Sequence, residues 1–96
     1  MRVLVLDNLF DNTSSVEQGM ILYFELKKSF QKKEQILLDV GSNLLMSSSF
    51  LNTSIGAFLD DFGIEEFKKT VKFKGSKSQF ERIGKYIKSY QDLYLA

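Results

Sequence analysis

The sequence predicts a small α/β domain with a mixed, mainly parallel sheet and three helices in a β-α-β-α-β-α order. Aliphatic runs at 3–6 and 36–40 are typical of buried strands, and each is followed by apolar residues at helical spacing. A third run, 71–74, alternates apolar and basic residues before a last amphipathic stretch. With 96 residues, 44% of them hydrophobic, the chain is long enough for one domain, 1–96, and too short for two.

The first strand, 3–6, is expected to be buried on both faces because it is continuously apolar. Two pairs of residues after it fit a capping box that starts the first helix: Ser14 with Glu17, and Ser15 with Gln18. Five apolar side chains recur at helical spacing and are expected to form the buried stripe of this helix: Val16, Met20, Tyr23, Phe24 and Phe30. Glycine inside a helix costs about 1 kcal/mol relative to alanine, and close packing of helix on sheet would explain both Gly19 and Gly56.

The second strand, 36–40, carries Asp39 within a buried run and is followed by turn residues at 41–43. Three serines, 47–49, then open the second helix, where a single serine N-cap is worth about 1 kcal/mol. Six apolar residues of this helix recur at helical spacing: Phe50, Leu51, Ile55, Phe58, Leu59 and Phe62. Gly63 is well placed to end the helix.

Residues 64–70 are expected to form a helical turn or a loop before the third strand, 71–74. Lysine alternates with apolar residues in that strand, which favours a position at the edge of the sheet. Ser78 with Glu81 fits another capping box for the last helix. The apolar residues expected to share one face of that helix are Phe80, Ile83, Ile87, Tyr90 and Tyr94.

Composition excludes several classes of function. The chain has no cysteine and no histidine, so thiol chemistry, disulfides and the commonest general base and metal ligand are missing, and we expect neither an enzyme nor a cofactor. The net charge is +1, and Phe67 and Phe73 among the lysines carry core periodicity, so nucleic acid is not the expected partner. No apolar run approaches the length of a membrane span, and the N-terminus does not resemble a signal peptide, so we expect a cytoplasmic protein.

The second strand and helix resemble the STAS domain, named for sulphate transporters and anti-sigma factor antagonists. That family has a buried strand ending in Asp, a turn, apolar residues, and then Asp-Ser-Ser-Gly-Leu leading into a helix. Counting from Asp39, Ser48 falls on the phosphorylatable serine of the family and Ser49 on the next serine. Two positions depart from the pattern: Ser47 stands where the family has Asp, and Phe50 where it has Gly.

The segment "SSFLNTSIGAFLDDFG" is similar to a divergent bacterial relative, the STAS-like family of unknown function. The segment "SSVEQGMILYFELKK" resembles the first helix of that family, and the resemblance runs from about residue 14 to residue 94. The resemblance implies a small, non-enzymatic regulatory module that is often associated with partner ATPases of the histidine-kinase type.

These observations lead to a regulatory module that docks on a protein partner, such as an ATP-binding serine kinase of the histidine-kinase type, through the serine loop and helix, 47–59. The expected contact residues are Asp39, Ser47, Ser48, Ser49, Asn52 and Thr53. For Asp39 the alternative is a structural role, in which its carboxylate accepts hydrogen bonds from loop amides and orders the loop. The resemblance implies Ser48, and after it Ser49, as the candidate for phosphorylation. A phosphate there would meet the positive end of the helix dipole and change the charge of the docking surface.

Three alternatives remain open at this point. Capping alone explains one of the serines, and it is compatible with a switch at another. The protein could instead be an assembly subunit, as a homodimer or in a defence- or phage-related complex, with exposed tyrosines of the last helix forming the contact: Tyr86, Tyr90 and Tyr94. A nucleotide bound at the helix N-terminus is the third alternative, on the dipole argument alone.

Overall fold

A computed structural model describes residues 1–6, 16–41 and 45–95, with side chains as far as residue 92. The elements are β1 (Arg2–Val5), α1 (Val16–Gln31), β2 (Ile36–Gly41), α2 (Ser48–Leu51), a π-helical segment (Asn52–Gly56), α3 (Ala57–Thr70), β3 (Val71–Gly75) and α4 (Lys77–Leu95). Since α2, the π-helical segment and the start of α3 form one helical run, the predicted β-α-β-α-β-α order is confirmed. The capping serines expected at 14 and 15, and the turn expected at 42 and 43, lie outside the described residues.

The three described strands form one sheet in the order β1-β2-β3, and both pairs are parallel. The sequence predicted a mixed, mainly parallel sheet, and the strands described here are all parallel. The lysine-rich strand β3 lies at an edge, as predicted.

One face of the sheet carries the core. Ile36, Leu38 and Val40 are fully buried, and they form one cluster with apolar side chains from all the helical elements. Leu37 and the other alternate residues of β2 are half-buried on the opposite face. The expectation that the first strand is buried on both faces is wrong: Val3 pairs with Leu37 on the face opposite the core, and it is 58% exposed.

The buried face of α1 differs from the one that periodicity predicted. Its buried residues are Gly19, Leu22, Leu26 and Ser29, whereas three members of the expected stripe, Val16, Met20 and Phe24, are about half exposed. Tyr23 and Phe30 do pack against the core. Apolar residues occur on both sides of this helix, and the side with the smallest residues faces inward because it permits the closest approach of a neighbouring helix.

The predicted break at Gly63 is confirmed, with φ 87° and ψ 167°, a conformation that glycine adopts without strain. The chain then resumes a helical path as far as Thr70, so residues 64–70 are helical rather than a loop. Phe67 of this last part is buried and lies 6.0 Å, centroid to centroid, from the ring of Phe73, which confirms both as core residues.

The N-cap of α4 lies two residues before the expected one, Ser78, and the helix begins at Lys77. The Oγ of Ser76, not of Ser78, accepts a hydrogen bond from the Gln79 backbone amide at 3.3 Å. Gln79 is buried, and its Nε2 donates to the Val40 carbonyl at 3.3 Å, whereas Phe80 is 45% exposed. The inward face of α4 therefore includes Gln79 and excludes Phe80. No helix in the described part of the chain is long and apolar enough to cross a membrane.

Candidate functional site

The serine corner, which we define as Ser47, Ser48 and Ser49, follows the carboxyl end of β2 and begins α2. Ser47 is the N-cap: its backbone is extended, and its Oγ accepts a hydrogen bond from the Phe50 amide at 3.1 Å. Its carbonyl accepts from the Leu51 amide at 3.0 Å. The predicted capping role is confirmed, and the residue that performs it is the one at the Asp position of the STAS motif.

The other two serines lie on the surface. Ser48 and Ser49 are exposed in the first turn of α2, while Phe50, which follows them, is fully buried. Because Phe50 points into the core, its bulk lies away from the hydroxyl groups of the corner. The prediction of a buried strand that leads, through a hydroxyl-rich corner in contact with water, into an amphipathic helix is confirmed for the described residues.

An arginine from the last helix contacts this corner, and the sequence reasoning missed it. The Nε of Arg82 donates to the Met46 carbonyl at 2.9 Å, and Nη2 donates to the same oxygen. Met46 directly precedes the capping serine, so a guanidinium group lies beside the start of α2. Its signal in the sequence was faint: Arg82 is one of only two arginines among thirteen basic residues, and its partner is 36 positions away.

Hydroxyl groups explain the widened turn after α2. Ser54 is buried and donates from Oγ to the Phe50 carbonyl at 2.6 Å; Thr53 donates from Oγ1 to the Ser49 carbonyl at 2.8 Å and to that of Phe50 at 3.3 Å. Such bonds to carbonyls three and four residues earlier compete with backbone amides and distort helices. The distortion here is the π-helical segment, and turns of this type occur often at functional sites.

Two of the predicted contact residues in this segment already have intramolecular neighbours. The Oδ1 of Asn52 accepts a hydrogen bond from the Tyr86 hydroxyl at 2.6 Å, although Asn52 remains exposed. Thr53 is half-buried against α1, where an added Cβ on Gly19 would overlap its Oγ1. Gly56 is similarly close to the hydroxyl of Tyr86. Both glycines thus permit close packing of helix on helix, not of helix on sheet as expected.

Asp39 does not join the serine corner. Its Oδ1 accepts a hydrogen bond from the Gly41 amide at 3.0 Å, which orders the end of β2. Strand alternation places it on the face of the sheet opposite Leu38, whereas α2 packs on the face of Leu38. No group of three or more His, Cys, Asp or Glu side chains that could hold a metal ion occurs among the described residues.

Comparison of the sequence with known protein families assigns the chain to one of them. The family described as STAS-like domain of unknown function (DUF4325) matches residues 18–81, well over half of the chain. The chain belongs to this STAS-like family. No curated protein and no solved structure matches it. The match contains β2, the serine corner and α3, and it ends one residue before Arg82.

In this STAS-like domain, tyrosine–aspartate hydrogen bonds tie the outer helices to α3. Tyr23 of α1 donates to Asp61, and Tyr90 of α4 donates to Asp60. The hydrogen bond to the Asp61 carboxylate, with lesser contributions from burial and charge, raises the pKa of Tyr23 to about 12. The expectation that Tyr86 and Tyr90 are exposed is wrong, because both are half-buried and pack against the core. The side chain of Tyr94 lies outside the described residues.

The STAS-like domain also has a groove of about 440 Å³, lined in part by Phe30, Lys33 and Thr70. These residues flank the starts of β2 and β3, at the opposite end of the strands from the serine corner. The groove is therefore separate from the surface that the sequence singled out.

Proposed function

We propose that this STAS-like domain is a non-enzymatic regulatory module that docks on a partner protein through the serine corner and the helical residues after it, 47–59, and that phosphorylation of Ser48 switches this docking. One observation supports the proposal above all: the capping role is filled by Ser47, which leaves Ser48 and Ser49 exposed and without a required role in starting the helix. Their hydroxyl groups can be modified or contacted without loss of the cap.

The electrostatics of the corner fit a switch at this position. A phosphoserine adds nearly two negative charges, which the bare amides and the helix dipole of the first turn stabilise. The Arg82 guanidinium, held at the neighbouring Met46 carbonyl, adds a positive charge on the same side of the fold. The modified domain would thus stay folded while the charge of its docking surface changes.

The partner we propose is an ATP-binding serine kinase of the histidine-kinase type, acting in the cytoplasm, and this part rests on the resemblance to STAS domains. Ser48, Ser49 and Asn52 are the exposed members of the proposed docking surface. Asp39 would contribute only by ordering the end of β2.

The test uses a matched pair of variants. Ser48→Asp mimics the phosphate in the first turn of α2, and Ser78→Asp places the same charge in the first turn of α4, also at an exposed serine. We expect Ser48→Asp to abolish binding to a kinase of this type encoded next to the domain, while Ser78→Asp binds as the wild type does. Both variants should keep the wild-type circular dichroism, since an acidic residue in the first turn of a helix is favourable.

Modification itself is tested with the same kinase and ATP. Phosphate-affinity electrophoresis should show one shifted species for the wild type and none for Ser48→Ala. Equal binding by Ser48→Asp and wild type, or phosphorylation that persists in a variant with alanine at both Ser48 and Ser49, would refute the switch.

A specific observation also supports an assembly role as the second candidate function. The outer face of α1 carries exposed apolar side chains that the fold does not bury, and such a surface favours association with another protein.

A further inference from the structure

The first three turns of α1 have an apolar outer face. Eight large hydrophobic side chains are exposed among the described residues, and half of them lie here: Val16 (48%), Met20 (47%), Ile21 (48%) and Phe24 (51%). We call these four residues the outer stripe. It lies opposite Leu22 and Leu26, which face the core. Contiguous exposed apolar patches of this kind mark interaction sites in soluble proteins.

We propose that the outer stripe binds the outer stripe of a second copy of this chain, in an antiparallel, two-fold symmetric pair of α1 helices. A two-fold interface requires a surface that is complementary to itself. If the two helices cross at the level of residue 22 along their axes, Met20 of each copy meets Phe24 of the other, and Val16 lies at the level of Lys28 of the other.

Charge complementarity selects a second copy in this orientation. Glu17 and Lys28 are both exposed, near the two ends of the stripe. At 100° per residue of an α-helix, the two side chains project in nearly the same direction, on the same side of the stripe. When two antiparallel α1 helices cross at the level of residue 22, Glu17 of one copy lies opposite Lys28 of the other. The two-fold symmetry produces this ion pair twice. Lys28 now contacts Glu25 at 3.4 Å in an exposed pair, an interaction weak enough to be exchanged.

The size of the surface sets the strength of the association. One pair of short helices lies at the low end of protein interfaces, so we expect a weak, reversible dimer rather than an obligate one. The inference concerns α1 alone and does not depend on the serine corner, so either proposal can fail without the other.

Sedimentation velocity over a concentration series tests the dimer. Phe24→Glu should weaken dimerisation about 10- to 100-fold, because a buried aromatic contact is replaced by a charge. The matched control is Phe80→Glu, since Phe80 is exposed to a similar extent (45%) on α4, and it should leave the dimerisation constant unchanged.

Charge reversal tests the orientation. Glu17→Lys and Lys28→Glu should each weaken dimerisation, and the double variant should restore it, because the opposite charges face each other again. Nonspecific sticking of apolar surfaces would not respond in this way.

Introduced cysteines provide a geometric readout, because the chain has none of its own. When Met20→Cys and Phe24→Cys proteins are mixed and oxidised with copper phenanthroline, the disulfide between the two different variants should exceed those between identical variants. A chain that remains monomeric at about 1 mM, equal effects of Phe24→Glu and Phe80→Glu, or a predominance of disulfides between identical variants would each overturn the proposal.

Discussion

Replacing Gly19 by alanine tests the contact between α1 and the helix that follows the serine corner. A Cβ at this position would overlap Thr53 Oγ1 and lie 2.8 Å from the Phe50 carbonyl oxygen. The threonine side chain can rotate, but the carbonyl belongs to the backbone of a fully buried residue and accepts hydrogen bonds from Thr53 and Ser54. The neighbouring helix therefore has to shift.

The magnitude follows from two opposing effects. Alanine in place of glycine favours a helix by about 1 kcal/mol. Overpacking typically costs about 1–3 kcal/mol, and loss of a Thr53 hydrogen bond costs about 1 kcal/mol more. We expect Gly19→Ala to lower the free energy of unfolding by about 1–3 kcal/mol, which corresponds to a decrease in Tm of roughly 4–24 °C for a domain of this size.

Gly84→Ala is the control, because a Cβ at Gly84 in α4 would meet nothing within 4 Å. It should raise the free energy of unfolding by about 0.5–1 kcal/mol. Both values come from urea unfolding followed by circular dichroism. If Gly19→Ala is as stable as Gly84→Ala, the close approach at Gly19 is not what determines how α1 packs.

Three further outcomes are expected. Lys33 has φ 55° in the turn that ends α1, so Lys33→Gly should raise the free energy of unfolding by about 0.5–1 kcal/mol in urea unfolding, and a loss of stability would contradict this. The pKa of Tyr23 is raised to about 12, so its hydrogen bond to Asp61 stabilises the fold below pH 10, and this stabilisation is lost between pH 10 and about 12. Asp61→Asn should lower the pKa of Tyr23 towards 10, as measured by ultraviolet difference spectra. An unchanged pKa would show that Asp61 is not the cause. The hydrogen bond from Arg2 is the main cause that lowers the pKa of Glu25. The ionised Glu25 therefore stabilises the fold above the ordinary carboxylate pKa, and this stabilisation is lost as the pH falls below it. Arg2→Gln should reduce the decrease in the free energy of unfolding between pH 6 and pH 3, measured from urea midpoints.

The middle of the chain could be predicted from the sequence because its signals are local. In the described residues between 36 and 62, the run of aliphatic residues, the serine cap and the helical spacing each determine the structure of the residues around them. Gly63 ends the run for an equally local reason, since glycine adopts a positive φ more readily than other residues.

The predicted buried face of α1 was wrong because a tertiary contact determines which face is buried. Apolar residues lie on both sides of the helix, so periodicity alone does not choose between a face with Phe24 and one with Leu22. The choice is made by Gly19, whose missing side chain allows the Phe50 backbone to approach, and this contact is invisible in the local pattern.

Long-range polar contacts escaped prediction for a similar reason. The hydrogen bonds from Arg82 to Met46 and from Tyr86 to Asn52 join residues more than thirty positions apart. The sequence predicted Asn52 and Tyr86 as contacts for a partner, whereas the fold joins them to each other and so holds α4 in place.

The three neighbouring serines differ in what a change at each would cost. Replacing Ser47 removes the cap and about 1 kcal/mol of stability, whereas exposed positions 48 and 49 tolerate most side chains with little effect on folding. The side chains at 48 and 49 can therefore be exchanged, and the chemistry of this surface changed, while the scaffold beneath the corner is preserved.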